Sequence, residues 1–377
     1  MTAPVAAEEM RAALAVMEAC GASDLHLSPG RVMRVRVDGT LRAKGEAIPP
    51  EGVAAMVRSV LPPGAAEELS GSGEADFAWS PAARSNGPPG SGTADSAAPR
   101  YRFNVFRCGG ETAAAIRRVP PVPPSLSDLG LPGAVRDLAL LGRGLVLVTG
   151  ATGSGKSTTL AGMIGLINSE RDAHVLTIED PVEFVYESRR CLVRQREVGR
   201  DTAGFASALR SALRQDPDVI MVGEARDPDT IQAALTAAET GHLVLTTLHT
   251  GSASESVSRL IDAFPAGERD RVRAQTASVL EGVVSQTLLP RASGRGRVAA
   301  CEILRVTAAV RALIREDRGH QIGSSIQAGK RHGMQSLNDS LAWLCMAGEV
   351  TPDTCLSVSP NPAGLKRKVE LARQAGG

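Results

Sequence analysis

The sequence predicts an α/β protein in which a small α+β domain precedes a larger domain built on a largely parallel sheet. Three observations carry this. Beyond residue 124, apolar strand-length runs alternate with helix-like segments, the order expected when helices cross over between parallel strands. The run at 145–149, Leu-Val-Leu-Val-Thr, feeds directly into Gly-Ala-Thr-Gly-Ser-Gly-Lys-Ser at 150–157. Between the two parts, Pro-Pro-Val-Pro-Pro at 120–124 is a stiff, extended connector. The expected division is 1–119, a linker at 120–127, and 128–377.

The first domain reads as follows. Residues 7–20 have helical spacing and stop at Gly21. Strands are expected at 24–27 and 32–37, the second ending in the Asp38-Gly39 turn. A helix covers 51–62 and is closed by Leu61-Pro62-Pro63. Strand-like runs at 75–79 and 101–106 flank a Pro/Gly/Ser-rich insertion at 80–98, too polar to pack and best read as an enlarged hairpin loop. Such a loop costs little closure entropy. In the second domain, strands are expected at 145–149, 174–178, 219–222, 243–247 and 299–304, with a helical region from about 300.

Composition excludes several classes. Hydrophobic residues make up 43% and charged residues 22% of the 377, ordinary for a soluble folded chain. The 42 Lys and Arg nearly balance 41 Asp and Glu, so no nucleic-acid footprint is evident. The densest basic cluster, Lys366-Arg367-Lys368, reads as a solvated helix face before a binding patch. Six cysteines without a C-x-x-C pair argue against a zinc site or a disulfide framework, and for a reducing cytoplasm. No apolar leader follows Met1, and no run reaches the roughly 18 apolar residues of a spanning helix, so any membrane role is expected to go through a partner.

The octapeptide at 150–157 fits G-x-x-x-x-G-K-[ST] with a strand before it and a helical pattern after it, the context that identifies a P-loop. Gly150, Gly153 and Gly155 allow positive φ and close approach to an anion. Loop amides and the helix dipole then face phosphate. Lys156 supplies mobile charge for the β- and γ-phosphates, and the Ser157 hydroxyl is a hard oxygen suited to Mg²⁺.

Three other strand ends carry polar groups, where ligands gather in open α/β sheets. Glu179, Asp180 and Glu183 cluster past 174–178; alone, this would be a turn with Asp-Pro chemistry. The apolar strand at 219–222 ends in Gly223-Glu224, a Walker B pattern with glycine where the usual metal-binding aspartate stands. A carboxylate at Glu224 can orient the attacking water while Ser157 and waters hold the metal. His249 ends a strand expected beside that of the P-loop. By spacing alone it is as readily a structural histidine as one that senses a γ-phosphate. His242 lies at the opposite end of the same strand.

Taken together, 150–159 (Walker A), 177–183 (aspartate box), 213–227 (Walker B) and 241–249 (histidine box) resemble the secretion ATPases of type II secretion and type IV pili. Within that family, 21–27, 36–39, 309–316, and 320–322 with 333–337 resemble the twitching-motility retraction ATPases. The resemblance implies a PAS-like N-terminal domain and a RecA-like P-loop ATPase domain, with ATP between them, in a ring-shaped homohexamer. It implies that Gly150, Thr152, Gly153, Ser154, Gly155, Lys156, Ser157 and Thr158 bind ATP, and that Ser157 meets Mg²⁺, with Glu179 and Glu224 assisting through water. Glu224 would be the catalytic glutamate, His249 its histidine-box neighbour, and Arg102 and Arg117 the arginines serving the nucleotide. The implied place is the cytoplasmic face of the inner membrane, against a pilus platform protein, without membrane insertion or nucleic acid.

There are departures from the family pattern. Gly109-Gly110-Glu111 stands where an Arg-Gly turn is common, and Val310 replaces an isoleucine. The rival readings are an assembly or secretion ATPase, disfavoured by the missing paired cysteines of that group's zinc insertion, and a nucleic-acid translocase, disfavoured by neutral charge and few aromatic residues.

Overall fold

The computed structural model describes residues 3–37, 39–81, 99–119 and 123–375. The chain divides into two compact units, Met1–Val122 with Glu183–Val185, and Pro123–Val182 with Tyr186–Gly377. Most of the expected insertion at 80–98, and positions 120–122 of the proline-rich connector, lie outside the described residues.

In the first unit six strands, β1 (Asp24–Leu27), β2 (Arg31–Val37), β3 (Thr40–Ile48), β4 (Glu74–Trp79), β5 (Arg100–Cys108) and β6 (Glu111–Val119), form one antiparallel sheet. Their order is β3-β2-β1-β6-β5-β4. Alternation decides its two faces. Leu25, Val35, Phe103 and Ile116 point into a core closed by Met10, Leu14 and Met17 of the helix Ala3–Ala19 and by Val53, Met56 and Val57 of the helix Pro50–Arg58. The neighbouring positions in register, Arg36, Asp24, Arg117 and Arg102, form a polar row on the other face. The helix expected over 51–62 is two: it ends at Arg58, and a second, Pro63–Gly71, starts with proline in its first turn, where the missing N–H costs nothing. Strand β3 gave no periodic signal because it is exposed almost throughout, and its register comes from pairing with β2.

The second unit is built on a seven-stranded sheet: β7 (Gly144–Thr149), β8 (His174–Glu179), β9 (Leu192–Glu197), β10 (Val219–Val222), β11 (Leu243–Leu248), β12 (Leu280–Pro290) and β13 (Arg297–Arg305). The order is β13-β12-β7-β11-β10-β8-β9, parallel throughout except for the antiparallel edge strand β13. Every residue of β7, β10 and β11 is buried, as expected for central parallel strands covered on both faces. Two cores do the covering. One packs Ile231, Leu235, Val257 and Leu260 against Leu145 and Leu147; the other packs Leu160, Met163, Ile164 and Ile167 against Val146 and Val148.

Because β13 continues to Arg305, the helical region begins at Ala308 rather than near 300. Strands β9 and β12 carried too little alternation to be expected from sequence. Among the described residues no helix is long and apolar enough to cross a membrane.

Candidate nucleotide site

Strands β7, β11, β10 and β8 are neighbours running the same way, so their C-terminal ends share one edge of the sheet. The loop at 150–155 leaves β7, His249 follows β11, Glu224 follows β10, and Glu179 closes β8. Thus one edge gathers four segments spread over a hundred residues of sequence.

The loop wraps the start of the helix Lys156–Glu170, whose N-cap Gly155 has φ 90°. A side chain at Gly150 has no room: a Cβ there would sit 2.3 Å from the Gln286 carbonyl oxygen. Lys156, 9% exposed, folds over the loop and donates from Nζ to the carbonyls of Gly150 (2.9 Å) and Ala151 (3.0 Å). Thr152, Gly153 and Ser157 are exposed and Thr158 is half-buried, while Ser154 is buried. A helix N-terminus behind a glycine-rich loop with a lysine over it can hold a polyphosphate.

On the neighbouring strand ends, Glu224 Oε2 accepts from Arg226 Nε at 2.6 Å and lies 3.4 Å from His249 Nε2. That placement brings together the carboxylate and the histidine picked out by sequence. Two hydrogen bonds tie the two loops together: Thr247 Oγ1 donates to the Gly223 carbonyl at 2.7 Å, and the Ala225 amide donates to the Thr247 carbonyl at 3.2 Å. Asp227 then caps the helix Pro228–Glu239. Burial pushes its carboxyl up, but the bonds from the Thr230 hydroxyl and amide outweigh this and hold it below its ordinary range.

Glu179 is buried, and its Oε1 accepts from Thr177 Oγ1 (2.6 Å) and Gln195 Nε2 (3.0 Å). Of the other acids expected with it, Asp180 is exposed and Glu183 is grouped with the first unit. His242 lies at the other end of β11, where its Nδ1 is 2.9 Å from the Ala237 carbonyl of the preceding helix.

Arg102 and Arg117 belong to the first unit. They are cross-strand partners on β5 and β6, and each already faces a carboxylate, Arg102 with Asp76 at 3.6 Å and Arg117 with Asp24 at 2.8 Å. Of the two, Arg117 is the more exposed.

Several supporting residues escaped the sequence reading. Gln286 of β12 braces the glycine-rich loop from the adjacent strand, and Ser285 Oγ donates to the Gly251 carbonyl at 3.0 Å. Three hydroxyls form a buried chain from the end of β7 to the turn after His249. Ser256 Oγ lies 3.4 Å from Thr149 Oγ1 and 2.7 Å from Thr250 Oγ1. Glu302 accepts the Ala253 amide at 2.8 Å, and burial pushes its carboxyl up despite that bond. The available signal was the polar triplet Ser285-Gln286-Thr287 inside an apolar strand-length run, a pattern that buried strands tolerate only where partners wait.

Known proteins resemble this chain over most of its length. Residues 132–342 match the family model described as type II/IV secretion system protein. The type IV pilus retraction ATPase PilT of Pseudomonas aeruginosa is 46% identical over 334 residues, spanning 88% of this chain and 92% of that one. The type IV pilus ATPase PilU of the same organism is 34% identical over 368 residues, 97% of this chain and 93% of its own. A crystal structure of the pilus retraction motor PilT with bound ADP superposes with a TM-score of 0.82 at 41% identity, covering 94% of this chain and 98% of that one. The resemblance to retraction ATPases is borne out by these relatives, and the chain belongs to the type II/IV secretion system protein family.

Proposed function

We propose that the chain is an ATP-hydrolysing motor that drives type IV pilus retraction, acting as a homohexamer at the cytoplasmic face of the inner membrane against a pilus platform protein. What supports it is one coincidence: the P-loop, Glu224 and His249 share a sheet edge, in a chain that matches PilT over nearly its whole length.

In this reading Lys156 and the loop amides bind the β- and γ-phosphates of ATP, with Gly150, Gly153 and Gly155 allowing the approach and Thr152, Ser154, Ser157 and Thr158 completing the cradle. The donor set suits Mg²⁺ shared with the nucleotide. Ser157 is exposed and offers a hydroxyl oxygen, and Glu179 and Glu224, at the ends of neighbouring parallel strands, would assist through water. Among the described residues no group of three or more His, Cys, Asp or Glu could cage a metal alone. Mg²⁺ usually takes few protein ligands and keeps its waters and phosphates, so the fit holds. When bound, it neutralises phosphate charge. Glu224 orients the attacking water and accepts its proton; Arg226 and His249 steady that carboxylate. Glu179, anchored by Thr177 and Gln195, assists, and Arg102 and Arg117 stabilise charge on the γ-phosphate.

Deleting the gene and counting pili tests the direction of force. Retraction predicts hyperpiliated cells that do not move on surfaces. Cells without pili would overturn it in favour of assembly.

A further inference from the structure

Gln286 sits on β12, 2% exposed, and grips the glycine-rich loop at two points. Its Nε2 donates to the Ser154 carbonyl at 2.7 Å, and its Oε1 accepts from Thr159 Oγ1 at 2.9 Å. All three residues are buried. The amide orientation is forced, because a backbone carbonyl can only accept, so the Gln286 nitrogen must face Ser154. The contact is also close-fitting: a Cβ on Gly155 would come within 3.0 Å of that nitrogen.

The peptide plane turns this brace into a functional one. In a trans peptide the C=O of one residue and the N–H of the next point in opposite directions. Pulling the Ser154 carbonyl toward Gln286 therefore turns the Gly155 N–H away from β12, and in a P-loop the amides of this turn are the groups that meet phosphate. Gly155, with φ 90°, has no side chain to resist the alternative orientation, so the direction of this amide depends on what holds the carbonyl.

We propose that Gln286 is a positioning residue of the nucleotide site, which sets the Gly155 amide by holding the Ser154 carbonyl and so determines how tightly the phosphates are bound. This rests on the reading of the loop as an ATP site.

The test is Gln286→Glu in the full-length protein, with ATP and ADP affinity measured by calorimetry from pH 5 to 8. At neutral pH the carboxylate keeps the acceptor for Thr159 but has no donor for Ser154, and affinity should fall by ten-fold or more. Toward pH 5 a buried glutamate takes up a proton and regains the donor. The variant's affinity should then recover relative to the wild type at the same pH, which a loss of packing would not produce. Equal affinity of variant and wild type at pH 7.5 would overturn the proposal, as would a deficit that does not change with pH. If Gln286→Glu does not fold, Gln286→Met fills similar space with neither bond; weakened binding with an unchanged unfolding temperature supports the role, and unchanged binding overturns it. Wild-type protein that binds no ATP would instead sink the nucleotide reading itself.

Discussion

At the residue scale, the candidate site gathers a few side chains whose surroundings differ in kind. Lys156 is buried over the loop, Glu179 is buried and bonded, and Glu224 is partly exposed with a guanidinium and an imidazole on the same oxygen. A group that must meet water has to reach it, which favours Glu224 over Glu179 as the residue that activates the nucleophile. Glu224→Gln keeps the size and the hydrogen-bonding shape but removes the basic oxygen. It should leave ATP affinity unchanged in calorimetry and lower turnover by about 100-fold or more. Wild-type turnover in the variant would refute the assignment. Glu224 and His249 were legible in the sequence because each ends an apolar run. Arg226, although only two residues from Glu224, was not singled out, since nothing in a linear pattern says that its guanidinium turns back on that carboxylate.

At the scale of elements, two helices show how the same residue types serve different ends. The apolar and basic pattern at 309–316, one of the stretches that resemble the retraction ATPases, forms the helix Ala308–Arg315. Val310 and Ile314 are inside the core, whereas Leu313 is half-buried. Arg311 is turned inward as well. It donates to the carbonyls of Ala277, Ser278 and Leu280 at the end of the helix Arg269–Val279, and pairs with Glu281 at 2.7 Å. Ile314→Ala should therefore cost about 2–5 kcal/mol of stability. Leu313→Ser should leave the unfolding temperature nearly unchanged, and if this helix couples hydrolysis to the pilus it should abolish motility while ATP turnover survives. Loss of turnover and motility together in a folded Leu313→Ser protein would end the coupling idea.

The helix Leu337–Met346 is held differently. Ser336 and Asp339 form a capping box, and Asp339 also receives Lys368 at 2.7 Å and Lys330 at 3.1 Å. Burial raises the Asp339 carboxyl, but the bonds from Lys368, Ser336 and Lys330 prevail and hold it well below the usual carboxylate range. A depressed pKa contributes stability that is complete above the unfolded value, near 3.8, and is lost as pH falls through the folded one. Asp339→Ala should cost about 1–2 kcal/mol at pH 7 from the lost cap and ion pairs. In thermal unfolding, the gap between variant and wild type should shrink as pH drops below about 4. A gap that widened with acid would contradict this sign.

At the scale of the whole molecule, the residues picked out by sequence fall in two separate units. The second unit supplies loop, carboxylates and histidine; the first carries Arg102 and Arg117, side by side in register. Exposed ion pairs such as Arg117 with Asp24 contribute only about 0–1 kcal/mol, so neither arginine is needed to hold its sheet together. If they serve the nucleotide, Arg102→Ala and Arg117→Ala should unfold at nearly the wild-type temperature yet lower kcat, by as much as about 10³-fold where the arginine meets the transferring phosphoryl group. Unchanged kcat in both variants would remove them from the site.

The sequence by itself determined the local patterns: which loop carries the glycine-rich P-loop spacing, which strands end in acids or histidine, and where a polar, proline-rich connector interrupts the apolar patterning. These are short-range properties, set by glycine at positive φ, by the alternation of side chains and by unbroken apolar runs. Only the tertiary structure decided the order of strands, and with it which strand ends share an edge. Strand β12 lies next to β7 although more than a hundred residues separate them, and that adjacency alone puts Gln286 under Ser154. Hydrogen bonds of this reach leave no period or spacing in a chain, because the partners are chosen by the sheet and not by their distance in sequence.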